Sequence, residues 1–231
     1  VLLNITGDSV ARACKVPTEL TPARVNQHVA IVRASSQVDP TYLLAFLQHQ
    51  KPLLLGLASS GATRKALTKG IIENLDINLP SVNEQDKITT VLDRIQQKIV
   101  INSRTNDYLA AICDAAFSEQ FGNTDDNAVL SDIADITMGQ SPSGKSYNEE
   151  GKGAVFYQGR GEFGWRFPTQ RLFTTEPKRM AAAGDVLMSV RAPVGDLNVA
   201  YEDCCIGRGL AAIHSQYPSF CLYLLRSLSR R

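Results

Sequence analysis

No stretch of this chain is apolar enough to cross a membrane, since no uninterrupted run reaches the roughly 18 residues a span needs. Nor is there a Cys-x-x-Cys pair among its five cysteines, Cys14, Cys113, Cys204, Cys205 and Cys221. An odd count in a chain of 231 residues reads as reduced cytosolic thiols, with no metal site and no disulfide frame. No secretory signal is visible. The first residue is Val1 rather than methionine, so the start reads as cut. Charge of either sign is also scarce in excess: the net is +1, far from the basic stripe of a non-specific DNA binder. Catalytic signatures are missing as well. There is no Asn/Asp-Pro-Pro-aromatic methyltransferase motif and no Asp…Glu-x-Lys nuclease cluster, and His28, His49 and His214 are scattered. The chain therefore reads as a non-enzyme without a cofactor, and any chemistry comes from partners.

What is present is unevenly distributed. Residues 1–80 hold eight Lys/Arg against five Asp/Glu, residues 81–122 hold four against six, and residues 123–231 hold twelve of each. Basic residues thus lie on two flanks, which are the places to hold a polyanion. In the first flank Val1 to Ile5 reads as a buried strand, Val25 to Val32 as a second, and Pro40 to Leu47 as a short helix with proline in its first turn. Gly56 to Gly61 reads as a loop, and Ile71 to Leu79 alternates like a strand. In the second flank Asn123 to Asn127 reads as a linker. Apolar runs at Leu130–Ile136, Val155–Tyr157, Val186–Val190 and Leu210–Ile213, punctuated by turn residues, predict an α+β or mostly-β unit.

Between the flanks lies the clearest element. Ser81-Val82-Asn83-Glu84 fits a capping box, and no proline or glycine interrupts Asn83 to Phe121 before Gly122. Ile88, Leu92, Ile95, Ile99, Leu109, Cys113 and Ala116 recur with coiled-coil spacing, and Asn102 and Asn106 share that seam. Residues 84–121 predict a helix of roughly 57 Å at about 1.5 Å per residue. A helix with a single apolar stripe needs a partner helix, in a second copy or in further chain.

The flanks also resemble each other. Val186 to Val190 matches Val1 to Ile5 at an offset of 185, and Ile206 to Ile213 matches Val25 to Val32 at 181. Tyr223-Leu224-Leu225 matches Tyr42-Leu43-Leu44, again at 181. A period near 180 is a domain duplication, because solenoid repeats run about 20–50 residues. On this reading the first flank lacks its beginning and the second its end.

One motif points elsewhere. Gly139 to Ser146 fits the G-x4-G-K-[ST] pattern, in which backbone amides cradle phosphates, Lys145 reaches the β/γ-phosphates and Ser146 binds magnesium. A P-loop must open a helix. Here Gly151 and Gly153 follow closely and Glu149 and Glu150 bring two carboxylates, so a Gly/Ser/Pro loop is the favoured reading.

These segments together resemble the specificity subunits of type I restriction-modification systems. Gly184-Asp-Val-Leu-Met-Ser-Val-Arg-Ala-Pro-Val-Gly195 followed by Ile206-Gly-Arg-Gly-Leu-Ala-Ala-Ile213 is similar to the middle of that family's target-recognition domain. Ile133 to Pro142 is similar to the start of the same domain, and Val1 to Arg33 to the middle of a preceding one. Leu79 to Ile88 is similar to the junction where such a domain enters a long spacer helix. The resemblance covers nearly the whole chain. It implies two partial α/β target-recognition domains joined by one long coiled-coil-forming helix. Residues 1–80 would be the C-terminal part of the first domain, 81–122 the spacer and 123–231 the N-terminal part of the second. It also implies that each domain reads half of a split target in double-stranded DNA. DNA methyltransferase subunits and a restriction-translocase subunit would be the partners. A full subunit has two complete domains and two helices. This chain would be a truncated product, an incomplete sequence or a half-subunit that self-associates through residues 84–121.

The resemblance makes the arginines candidates for DNA contact. Arg160, Arg166, Arg171, Arg191 and Arg208, with Gln158 and Trp165, form an arginine-rich second flank. Arginine forks pair with guanine and glutamine with adenine in the major groove, while other cations hold phosphates and set register. Lys145 joins this set, and Arg64, Lys65 and Lys69 are the candidates of the first flank. Two other functions compete: a P-loop nucleotide-binding protein using Gly139–Ser146, and a coiled-coil interaction protein with no DNA role.

Overall fold

The computed structural model describes residues 1–59, 65–122 and 128–229. The chain divides into two units, Val1–Thr105 and Asn106–Arg231. The boundary falls inside one long helix.

In the first unit β1 (Leu2–Asn4) is the centre of a three-stranded antiparallel sheet, flanked by β2 (Ala13–Cys14) and β3 (Val29–Ile31). Leu3 is fully buried and packs with Val10, Leu43, Leu47, Leu54 and Leu67. Helix α1 (Pro40–His49) starts because Asp39 caps it: its carboxylate accepts from the amides of Thr41 and Tyr42 at 2.7 and 3.1 Å, with Pro40 in the first turn. Helix α2 (Lys51–Ser59) follows and buries Leu54 and Ala58, four residues apart.

Three expectations are corrected here. Gly56 to Ser59 lies within α2 rather than in a loop, and Ser60 and Gly61 lie outside the described residues. The second strand is confined to Val29–Ile31, and Asn26 to Val29 forms a turn. Ile71 to Leu79 is not a strand. Thr68 caps a short helix α3 (Lys69–Glu73) by accepting from Ile71 N–H, and residues 75–80 then belong to no strand. Ile71, Ile72, Leu75 and Ile77 still pack on the core. The apolar positions are thus shared between a short helix and an irregular segment.

Helix α4 (Val82–Phe121) runs for 40 residues. Its capping box is present: Ser81 N–H and Oγ both donate to Glu84 Oε2, at 3.0 and 2.7 Å, and Glu84 N–H donates to Ser81 Oγ at 3.4 Å. These bonds hold the Glu84 carboxyl below its ordinary pKa. Its inward residues in the first unit are polar. Gln85 is 1% exposed; its Oε1 accepts from Asp39 N–H at 2.9 Å, and its Nε2 donates to the carbonyls of Gln37 and Pro80, both at 3.0 Å. In the second unit Ala110, Asp114 and Phe117 are the half-buried positions.

The second unit is built from two sheets. β9 (Val186–Ser189), β10 (Leu197–Val199), β12 (Leu210–His214) and β4 (Asp135–Met138) form an antiparallel sheet in the order β10-β9-β12-β4. β5 (Tyr147–Asn148), β7 (Leu172–Thr174), β6 (Ala154–Tyr157), β11 (Cys204–Ile206) and β8 (Met180–Ala181) form the other, in that order, with β6 and β11 parallel. Leu187, Leu210 and Ala212 face a core shared with Val155, Tyr157, Cys204 and Ile206. The alternate residues Val186 and Ile213 pack on Cys221, Leu222 and Leu225 of helix α5 (Pro218–Ser229). Coverage on both faces explains why these strands read as unbroken apolar runs. Helix α5 meets α4 through Arg226, whose Nε and Nη2 donate to the Asp114 carboxylate at 2.9 and 2.8 Å, and through Phe220, whose ring lies 5.4 Å from that of Phe117.

The internal repeat is visible in strand register. Leu2, Leu3 and Asn4 face Ile31, Ala30 and Val29; Leu187, Met188 and Ser189 face Ala212, Ala211 and Leu210. Applying the offsets of 185 and 181 to the first set reproduces the second. The third match needs correction. Pro40 and Pro218 both open helices, and the buried pair Leu43/Leu47 aligns with Cys221/Leu225 at an offset of 178. The Tyr-Leu-Leu match was therefore displaced by three residues, close to one helical turn.

Candidate nucleic-acid interface

The second unit brings four of the expected residues together. Gln158, Arg160, Arg191 and Arg208 line one shallow cavity of about 420 Å³, with Gly159, Gly161, Ala192, Pro193 and Gly209. Gln158 follows β6, Arg160 sits in the single 3-10 turn Arg160–Glu162, Arg191 follows β9, and Arg208 tips the turn between β11 and β12.

Arg208 is displayed by close backbone packing. Gly207 N–H donates to Tyr157 O at 2.8 Å, Leu210 N–H to Gly207 O at 2.9 Å, and Val190 N–H to Gly209 O at 2.9 Å. A Cβ at Gly207 would lie 2.9 Å from Gln158 Cα, one at Gly209 2.8 Å from Gln158 O, and one at Gly139 2.1 Å from Gly207 O. The glycines thus let three chain segments touch while Arg208 points out between them.

Arg160 pairs with Asp196. Among the described residues Arg191 and Arg208 have no ion-pair partner, and both are exposed. The cavity therefore presents two unneutralised guanidinium forks and one amide, groups that donate to base edges or to phosphates.

The remaining candidates lie elsewhere. Arg171 is paired with Glu149 at 3.4 Å and with the buried Glu162 at 3.3 Å. Arg166 is half-buried, lies over the Phe167 ring at 5.8 Å, and lines a separate hollow with Val199, Pro218 and Leu222. The Trp165 indole donates to Asp107 on α4 at 2.9 Å. In the first unit Lys65 is exposed, and its carbonyl accepts from Gly7 N–H at 3.3 Å. Lys69 forms an exposed pair with Glu73 at 3.4 Å, and Arg64 lies outside the described residues. On α4 the expected seam points outward: Ile88, Ile95, Ile99 and Leu109 are 42–57% exposed, Ala116 is exposed, and Leu92 is half-buried.

The P-loop alternative fails on geometry. Gly144–Ser146 is one 3-10 turn that runs straight into β5. The buried Ser146 hydroxyl is committed to Ser143 O at 2.7 Å and lies 2.8 Å from Thr174 Oγ1. With no helix to face phosphates and no free hydroxyl for magnesium, Gly139–Ser146 is not a nucleotide cradle. Lys145 is exposed, four residues after Ser141, whose Oγ accepts from Arg208 N–H at 3.3 Å.

Sequence reasoning missed a second cavity of about 420 Å³, in the first unit, lined by Asn4, Thr6, Gly7, Ser9, Asn26, His28 and Val29. Thr6 Oγ1 and His28 Nδ1 are hydrogen-bonded at 2.6 Å. No motif marks these small polar residues; only their place in the repeat does.

The other polar groups are structural. Asp185 is 5% exposed, accepts from Ala182 N–H at 2.8 Å and meets His214 Nδ1 at 2.6 Å. That bond holds the imidazole above its ordinary pKa. Burial, with Asp185 nearby, pushes the Cys204 thiol up to about 12, which makes it inert. All five cysteines are free, and no helix among the described residues is long and apolar enough to cross a membrane.

Residues 17–111 match the family described as type I restriction modification DNA specificity domain. A protein of Methanocaldococcus jannaschii, assigned as the type I restriction enzyme MjaX specificity subunit, is 32% identical over 202 residues, covering 78% of this chain and 48% of that protein. This chain thus spans about half the length of that relative. The crystal structure of the HsdS subunit from Thermoanaerobacter tengcongensis is 32% identical, with a TM-score of 0.45 over 88% of this chain and 57% of that one. The type I restriction-modification S subunit from M. genitalium is 17% identical, with a TM-score of 0.51 over 84% and 56%, and shares the fold: helices and sheets with a long helix between sheet regions.

Proposed function

This chain belongs to the type I restriction-modification DNA specificity family, and from that premise we propose that it reads double-stranded DNA sequence for a type I complex. On this reading it performs no chemistry. It directs methylation and restriction by methyltransferase and restriction-translocase subunits to a bipartite target. Its parts are residues 1–80 and 123–231, as partial target-recognition domains, and 81–122 as the spacer.

The observation that carries the reading is the arginine cavity. Three arginines and a glutamine, from three loop segments at the ends of β6, β9 and β11, converge on one exposed hollow. Arg208 is its central group, set out on a tightly packed turn with no carboxylate against it among the described residues. An arginine fork matches the O6/N7 edge of guanine, and a good bidentate pair discriminates by about 1–3 kcal/mol. A pure coiled-coil interaction protein has no use for that convergence.

The test is Arg208→Ala in the chain assembled with its methyltransferase subunits, titrated with cognate and single-base-substituted duplexes. Cognate affinity should fall by about 1–3 kcal/mol, and discrimination at one guanine should flatten. Unchanged affinity together with unchanged base preference would remove Arg208, and with it this account of the cavity.

A further inference from the structure

We propose that the first unit carries a second base-reading turn, Asn26-Gln27-His28, whose tip residue Gln27 selects adenine where Arg208 selects guanine. The inference rests on the DNA-reading role proposed above and adds a residue and a base class to it.

Three backbone hydrogen bonds make the two turns equivalent. Val29 N–H donates to Asn26 O at 3.2 Å, as Leu210 N–H does to Gly207 O at 2.9 Å. Ile5 N–H donates to His28 O at 2.9 Å, as Val190 N–H does to Gly209 O at 2.9 Å. Asn4 N–H donates to Arg12 O at 2.8 Å, as Ser189 N–H does to Asp196 O at 2.9 Å. A left-handed corner also recurs, at Ala11 with φ 65° and at Gly195 with φ 93°. By this register Gln27 stands where Arg208 stands, and Thr6 where Arg191 stands. Both turns border a shallow cavity of about 420 Å³.

The chemistry of the two turns differs. The first borders a cavity lined by Asn4, Thr6, Ser9, Asn26 and His28 instead of guanidinium groups, and Asn26, Gln27 and His28 are all exposed. Asn26 Oδ1 accepts from His28 N–H at 3.0 Å, and the Thr6–His28 bond at 2.6 Å holds the ring. Those contacts fix the turn and leave the Gln27 amide as its outward donor–acceptor pair. One donor beside one acceptor is the pattern that matches adenine N7 and N6 in the major groove, and it fits guanine O6/N7 poorly because guanine offers two acceptors. Asn26 and His28 act as positioning residues.

The experiment is selection from a random duplex library by the full chain, alone and assembled with its methyltransferase subunits. Wild type, Gln27→Arg, Gln27→Glu and Arg208→Gln are compared after equal melting curves confirm folding. Wild type should enrich an adenine at one position and a guanine at another, each by roughly 5-fold or more. Gln27→Arg should turn the adenine position to guanine, and Gln27→Glu should turn it to cytosine, both leaving the Arg208 position alone. Arg208→Gln should turn only the guanine position to adenine. Gln27 variants that keep every wild-type preference, while Arg208→Gln shifts its own, would overturn this inference and leave the DNA-reading role standing. A wild-type chain that enriches nothing in either form would overturn both.

Discussion

Gln85 and Asp114 show how much of the architecture turns on single polar side chains. Both sit on the inward side of α4, where a leucine would be expected. Gln85 uses both ends of its amide, tying the helix to the Asp39 amide and to two carbonyls. Its removal takes three hydrogen bonds from partly buried groups, which costs about 1–3 kcal/mol. Gln85→Ala should therefore lower the unfolding free energy by that amount, read as a lower urea midpoint at unchanged slope, while Gln85→Glu should cost as much or more because the carboxylate cannot donate to Gln37 and Pro80. A midpoint unchanged in Gln85→Ala would mean that the bonds contribute nothing net. None of this was legible in the sequence, since a glutamine in a charged helical segment reads as solvated. The capping pair Ser81 and Glu84 was legible, because both partners lie within one turn of chain and require no tertiary contact. Gly139 shows the opposite failure: its spacing imitates a P-loop, yet its real constraint is the Gly207 carbonyl 2.1 Å from where a Cβ would be.

At the scale of elements, the long helix and the apolar strands were readable because their periods are strong. Ile71 to Leu79 was misread because alternating apolar residues look alike in a paired strand and in a short capped helix followed by an irregular segment that packs on the same core. The helix also shows what periodicity leaves open. The Ile88, Ile95, Ile99 stripe is apolar and stands exposed on α4. An exposed row of isoleucines is a candidate association face. Covering one isoleucine contributes about 1.5–3 kcal/mol. If a second copy is what covers it, Ile95→Asp with Ile99→Asp should weaken self-association by on the order of a hundredfold or more in sedimentation equilibrium, while near-native ellipticity persists. Association that is insensitive to the pair, or a wild-type chain that stays monomeric, would exclude a second copy as the occupant.

For the whole molecule, charge and duplication act together. The domain repeat was legible as faint sequence similarity, and its register became certain only through strand pairing, since two buried strands constrain residue type weakly. A chain of net charge +1 attracts a polyanion only modestly overall. On the proposed reading, its preference for one duplex over another comes mainly from base contacts at the two turns, with the flanking cations setting register. Lys145 separates the two contributions. It is exposed and does not line the arginine cavity. Each phosphate contact contributes about 0.9 to the slope of log K against log salt. Lys145→Ala should therefore reduce the magnitude of that slope by about one and weaken all duplexes alike. Arg208→Ala should instead change the ranking of duplexes. A Lys145→Ala chain with an altered ranking would place that lysine at a base, and an unchanged slope would take it off the DNA altogether.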